Sequence, residues 1–279
     1  MNVLESAPVI ADSITTVLRP VAGLPVICAS HGGMYSAACA VRLGVSAAVF
    51  NDAGIGRDRA GVAGLSWLEG FGIPGLAVSH RSARIGDGLD CWTRGVVSVV
   101  NEAAISCGVR LGMGVPEAHA LLLKATACGV DAVDHHESRH CLDGHAHVPV
   151  VALDSNSLVT AEDAGAIVIT GSHGGLLGGQ ARSAIKYAVF AAFYNDAGIG
   201  IDNAGISRLP ALDGMGIAGI AVDAFSARIG DGLSTYEDGV ASFVNDKARS
   251  YGVHPGMTVR AVVSRLAEAW IHHTQRKNQ

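Results

Sequence analysis

Apolar residues fall along this chain in short unbroken runs rather than in alternation. Residues 24–29 (LPVICA), 47–50 (AAVF) and 75–78 (GLAV) are such runs near the start, and residues 166–170 (AIVIT), 191–194 (AAFY) and 219–222 (GIAV) match them later. Runs this short, apolar on both sides, predict strands buried on both faces, as in a parallel sheet. Alanine-rich, helix-favouring stretches separate them and predict helices covering the sheet. The expected fold class is α/β.

Each run stops at a polar, glycine-rich break, and the breaks come in matching pairs. Ser30-His31-Gly32-Gly33 answers Ser172-His173-Gly174-Gly175 at a spacing of 142 residues. NDAGIGR from Asn51 answers NDAGIGI from Asn195, and SARIGDGL from Ser82 answers the same eight letters from Ser226, both at 144. Across positions 51–115 about 37 of 65 aligned residues are identical, well above chance. The period is too long for a solenoid repeat. The pattern predicts a tandem duplication of two similar doubly wound parallel-sheet domains related by a pseudo-two-fold axis. Residues 1–125 form the first repeat, 126–147 a His-rich linker expected as a loop, and 148–279 the second repeat.

In a parallel sheet all three motifs would sit at the carboxyl ends of strands, where open α/β sheets bind ligands. His31 and His173 are candidate general acids or bases. Gly32, Gly33, Gly174 and Gly175 would offer backbone amides to an anion or a polarised carbonyl. The plainer alternative is a tight turn in which the histidine caps the helix. Asp52 and Asp196 can orient an imidazole or act as bases, and Asn51 and Asn195 can hydrogen-bond a carbonyl. Asx turns are the alternative there. Arg84 and Arg228 carry planar forks suited to a carboxylate or phosphate, with Ser82, Asp87, Ser226 and Asp231 beside them as binding groups. An internal pair, Arg84 with Asp87, would instead brace the loop. Asp58 and Asp202 also match, and a solvated surface role is expected for them.

Other features carry less. Gly54-Ile55-Gly56 and its copy lack the third glycine of a dinucleotide fingerprint, and no Walker A sequence occurs. The six cysteines form no C-x-x-C pair and read as small apolar fillers. His135, His136, His140, Cys141, His145 and His147 have irregular spacing, which favours a solvated loop over a metal site. No cofactor is expected, and a divalent metal has only weak support. The general layout, two similar α/β halves in one chain, resembles that of the aspartate/glutamate racemases. Those carry a cysteine in each half where the loops here carry His, Asp and Arg, so the resemblance transfers no residues.

Composition narrows the classes. Hydrophobic residues at 49% with charged residues at 16% predict globular cores, and the low aromatic share, 5%, leaves Ala, Val, Ile and Leu to fill them. Twelve of the 36 glycines belong to the three paired loops, so the glycine excess is partly a property of strand ends. A net charge of −5 without basic runs argues against nucleic acid or an anionic membrane as partner. No apolar stretch reaches about 18 residues, and no basic segment precedes an apolar run at the start, so a cytoplasmic location is expected. The expected function is an enzyme acting on a small anionic or carbonyl-containing metabolite by His/Asp acid–base chemistry, foremost hydrolysis of an amide- or lactone-type bond. The alternatives are an isomerase or lyase acting on a small carboxylate, a non-catalytic small-anion binding protein, and purely structural loops. A small-molecule substrate and a homo-oligomer are the expected partners.

Overall fold

A computed structural model describes residues 7–18, 20–126, 135–143 and 148–277, the last six through their backbone alone. The chain forms two compact units, Met1–Asp52 with Val62–His135, and Ala53–Gly61 with His136–Gln279. The segment Ala53–Gly61, which follows a strand of the first half, thus belongs to the second unit.

The first unit runs β1 (Val9–Ala11), β2 (Pro25–His31), α1 (Met34–Arg42), β3 (Ala47–Asn51), α2 (Ala63–Glu69), β4 (Gly75–Val78), α3 (Gly88–Arg94), β5 (Val97–Val100), α4 (Glu102–Ser106) and α5 (Val115–Leu122). Its sheet follows chain order, β1-β2-β3-β4-β5. The first four strands are parallel and β5 is antiparallel to β4. The second unit contains β6 (Arg139–Cys141), β7 (Val150–Leu153), β8 (Ile167–His173), β9 (Ala191–Asn195), α6 (Arg208–Gly214), β10 (Ala218–Val222), α7 (Gly232–Asp238), β11 (Ala241–Val244), α8 (Asp246–Ser250) and α9 (Val259–Lys277). Its six strands lie in the order β11-β10-β9-β8-β7-β6, with both outermost strands antiparallel to their neighbours.

The α/β class holds, and the sheets are mixed rather than wholly parallel. Nor does the strand order reverse, as it does in a doubly wound sheet. The apolar runs could not show either point. A run buried on both faces reads the same in either direction, and β5 and β11 are short and only partly buried. The linker also departs from a plain loop: Arg139, His140 and Cys141 form β6, paired with Leu153, Ala152 and Val151. His145 and His147 lie outside the described residues.

The central strands are buried on both faces, and alternate residues divide between two cores. Val150, Ile167, Ile169 and Phe193 pack with α8 and α9, through Ala248, Val259, Val262 and Leu266. Val151, Val168, Ala192 and Tyr194 face Leu212 of α6 and the segment carrying Ala184 and Ile185. In the first unit, Ile27, Ala47, Val49 and Leu76 pack with Cys91, Ala118 and Leu122 of α3 and α5. Asn101 and Asn245 tie the helical layer to the sheet in both units. Each caps a short helix, accepts from a strand glycine amide, and donates to two carbonyls before the strand. A buried amide so fully used is a structural fastening.

One expected helix is missing. The stretch between Gly175 and the apolar run at 191–194, one of those that predict a helix, instead forms two short 3-10 turns, Leu177–Gly179 and Ala181–Ser183. Gly178 and Gly179, both at positive φ, interrupt the segment where a helix would start.

Candidate active site

The carboxyl ends of β2, β3 and β4 are adjacent, with His31 opposite Asn51 and Asn51 opposite Val78. His31, Asp52 and the residues after Val78 therefore line one edge of the first sheet. The equivalent edge in the second unit carries His173, Asp196 and the residues after Val222.

The His-Gly-Gly turns are internally satisfied. Gly33 donates its amide to Nδ1 of His31, and Gly175 does the same to His173, each at 3.2 Å. The amides of Gly32 and Gly174 donate to the carbonyls of Asn51 and Asn195. All four amides expected to cradle an anion thus have protein partners. The imidazole closes the turn on a glycine amide, but it does not cap a helix: α1 starts after Gly33 without a side-chain cap, and no α-helix follows His173 directly. Donation to Nδ1 places the ring proton on Nε2, and burial pushes His31 down to about 4. A neutral ring with an Nε2 proton is suited to donate a hydrogen bond rather than to take up a proton.

Asn51 and Asn195 are fully buried and fasten the next loop: their amides donate to the carbonyls of Ala83 and Ala227. Ser82 Oγ donates to Ser79 and accepts from the Val96 amide, and Ser226 does likewise with Asp223 and Val240. Neither serine resembles an activated nucleophile. Arg84 pairs with Asp87 at 3.3 Å, and Arg228 with Asp231 at 3.0 Å and with Asp58 at 3.3 Å. Asp87 and Asp231 also cap α3 and α7. The internal pairs coexist with exposure, because the two arginine side chains stay 43% and 41% exposed. Asp12 and Asp154, from the ends of β1 and β7, hold these loops by accepting from the Gly88 and Gly232 amides.

Asp52 is where the geometry becomes chemical. Its Oδ1 accepts from the His80 amide at 2.9 Å and lies 2.8 Å from His80 Nδ1, while Oδ2 accepts from Ser98 Oγ at 2.8 Å. Burial raises its pKa, but the bonds from the His80 ring and amide and from Ser98 outweigh this and hold the carboxyl below the ordinary carboxylate range. The ring of His80 is 16% exposed against 4% for Asp52. Among the described residues, Nε2 of His80 meets no hydrogen-bonding partner. Sequence reasoning missed His80. Its place two residues after β4, between two repeated motifs, was the available signal, but it has no counterpart in the second half, where position 224 is alanine.

Asp196 has no such imidazole. Its Oδ1 accepts from the amides of Gly198 and Ala224. Burial dominates, and the bonds from the two amides do not offset it, so the carboxyl sits above the ordinary range.

Both Asn-Asp motifs run into strained backbone. Ala53, Ile55, Ala197 and Ile199 all have φ between 48° and 66°. The amides of Gly56 and Gly200 fold back onto the carbonyls of Gly54 and Gly198 at 2.7 Å, closing γ-turns on the two isoleucines. A β-branched residue at positive φ is costly and persists where surroundings enforce it, commonly at functional sites. Asp58 and Asp202 also lie at left-handed φ, not in a regular helix.

Among the described residues no group of three or more His, Cys, Asp or Glu gathers as a metal shell, and no helix is long and apolar enough to cross a membrane. Cys28, Cys39 and Cys91 are buried, and burial pushes the Cys28 thiol up to about 12. Comparison with protein-family models, curated proteins and solved structures finds no match for the chain.

Proposed function

We propose that the strand ends of the first unit form an acid–base site that acts on a small anionic or carbonyl-containing metabolite, foremost by hydrolysing an amide- or lactone-type bond. The observation that carries this reading is the 2.8 Å contact between buried Asp52 and the more exposed His80 ring. An ionised carboxylate on Nδ1 fixes the tautomer and leaves the Nε2 lone pair available to take a proton from water. The positive charge that develops on the ring is then stabilised by Asp52, in the manner of other carboxylate–imidazole pairs. His31 would donate its Nε2 proton to a polarised oxygen, and the exposed face of Arg84 would hold the substrate's negative charge.

His173, Asp196 and Arg228 share this frame without a counterpart to His80, so the second unit contributes binding or support. Tandem duplication accounts for the shared motifs and for the equivalent asparagine fastenings. A cytoplasmic homo-oligomer that needs no cofactor remains part of the proposal. The non-catalytic anion-binding reading keeps the exposed arginines but not the four glycine amides, which already have partners.

The test is hydrolysis of a panel of small lactones, cyclic amides and acyl amides by the wild-type chain and by His80→Gln. The expected outcome is turnover that falls about 100-fold or more in the variant. Equal turnover by both, or no turnover of the panel by the wild type, would overturn the hydrolase reading.

A further inference from the structure

Ser98 occupies an irregular place in the first sheet, as Ser242 does in the second, where alanine stands at the position of His80. β5 pairs Val99 with Ala77 and then Val97 with Val78, so Ser98 is the extra residue of a β-bulge. A bulge bends its strand and re-aims a side chain that regular pleating would send elsewhere, and bulges recur beside active sites. Here the re-aimed hydroxyl reaches Asp52 Oδ2 at 2.8 Å, with the Ala77 carbonyl at 3.3 Å as its second neighbour. It does not bond the imidazole, which rules it out as the nucleophile of a Ser-His-Asp array in this geometry.

We infer that Ser98 is a positioning residue: the bulge presents its hydroxyl to one carboxylate oxygen of Asp52, so that the other stays aligned with Nδ1 of His80. The inference rests on Asp52–His80 being the working pair of the proposed site. Two contacts at right places on one carboxylate fix its rotation, which neither contact does alone. The same hydroxyl draws negative charge towards Oδ2 and so moderates the pull of Oδ1 on the ring proton. Among the described residues Asp52 is the charged group in contact with the His80 ring, and Arg81 is its charged neighbour in the chain.

A substrate-free measurement tests this. The His80 ring is followed by proton NMR across pH, its signal assigned by its loss in His80→Gln. Ser98→Ala removes the donor, so Oδ1 gains charge and the His80 midpoint is expected to rise by about half a pH unit, a roughly threefold change in proton affinity. Ser98→Thr keeps a hydroxyl and is expected to restore the wild-type midpoint. Ser98→Cys, a weak donor of similar size, is expected to fall between and serves if the alanine variant does not fold. A midpoint that is unchanged or lowered in the alanine and cysteine variants would overturn the inference. Turnover plays no part in this readout, so it stands or falls separately from the hydrolase reading.

Discussion

The two units fill the space beside their second long strand in opposite ways. In the first, α1 lies there, and Gly64 of α2 lets it approach: a Cβ at Gly64 would come within 2.5 Å of the Gly33 carbonyl and 2.6 Å of the Ala37 side chain. In the second, the residue in the same place is Arg208, and two short 3-10 turns stand where α1 would be. Both residues make the same backbone contact, from Gly64 to the Gly32 carbonyl and from Arg208 to that of Gly174, each at 2.9 Å. Arg208 is 3% exposed; its Nη1 donates to the carbonyls of Ser183 and Ala184, its Nε donates to that of His173, and it stacks over Tyr194 at 4.8 Å. A buried cation held by carbonyls and a ring, among the described residues without a carboxylate, loses part of its affinity for the proton through burial. A single exchange of glycine for arginine thus goes with a helix in one unit and a stapled loop in the other.

The sharpest way to break this contrast is Arg208→Ala. It leaves three carbonyls short of a donor and opens a void against Tyr194, and the expected loss is about 3–5 kcal/mol. Chemical denaturation checks it, and the first cooperative loss should be of protection in segment 176–190 by hydrogen exchange. Stability unchanged within about 1 kcal/mol would mean that the loop holds without its staple.

Sequence pattern carried the first contrast only in part. The six apolar runs are all strands, because four or more consecutive buried residues leave few other solutions. Val9–Ala11 and Arg139–Cys141 escaped, being three residues long, the latter exposed throughout, and so did Val97–Val100, Val150–Leu153 and Ala241–Val244, which no repeated motif follows. The helix expected after Gly175 fails on local and tertiary grounds together: its alanines and leucines favour a helix, but Gly178-Gly179 breaks the start and Arg208 offers the loop carbonyls a better partner. At the candidate site, pairing of motifs located Asp52 and Asp196 and assigned them one role. It could not show that their surroundings differ, because the difference lies in residue 80 against residue 224, outside every shared motif.

Acid sharpens the picture of the first unit. His31 titrates near 4 in the folded chain and near 6.5 when unfolded, and His119, packed edge-on to Trp92 at 5.3 Å, is also lowered by burial. Above pH 6.5 both states are neutral and the contribution is complete. As pH falls from 6.5 towards 4 the unfolded chain binds protons that the folded chain refuses, and stability drops. For His31 the loss reaches at most about 3 kcal/mol by pH 4. The midpoint of urea unfolding, followed from pH 7 to 4, should fall, and less so in His31→Gln, whose side-chain oxygen can still accept from Gly33. An identical pH slope in that variant would remove His31 from the account.

The smallest effect tests the contrast at the carboxylates themselves. At neutral pH Asp52 is ionised and gains from that charge, since the donors around it favour the anion. Its contribution is present above the ordinary carboxyl value near 3.8 and is lost as pH falls through the lower folded one. Asp196 is raised, so at pH 7 its ionised form is held against the preference of its burial. Asp52→Asn should therefore destabilise by about 1–2 kcal/mol at pH 7, because an amide nitrogen would face either Ser98 or His80 in place of an anion. Asp196→Asn keeps an oxygen for the amides of Gly198 and Ala224 while removing the charge, and should lie within about 0.5 kcal/mol of wild type or above it. The difference between the two variants is the quantity to measure, since both replace a carboxylate by an amide at the end of the same kind of strand. A carboxylate kept ionised by a ring that can take a proton is worth most as a partner of that ring; one that loses nothing on becoming an amide is a turn residue.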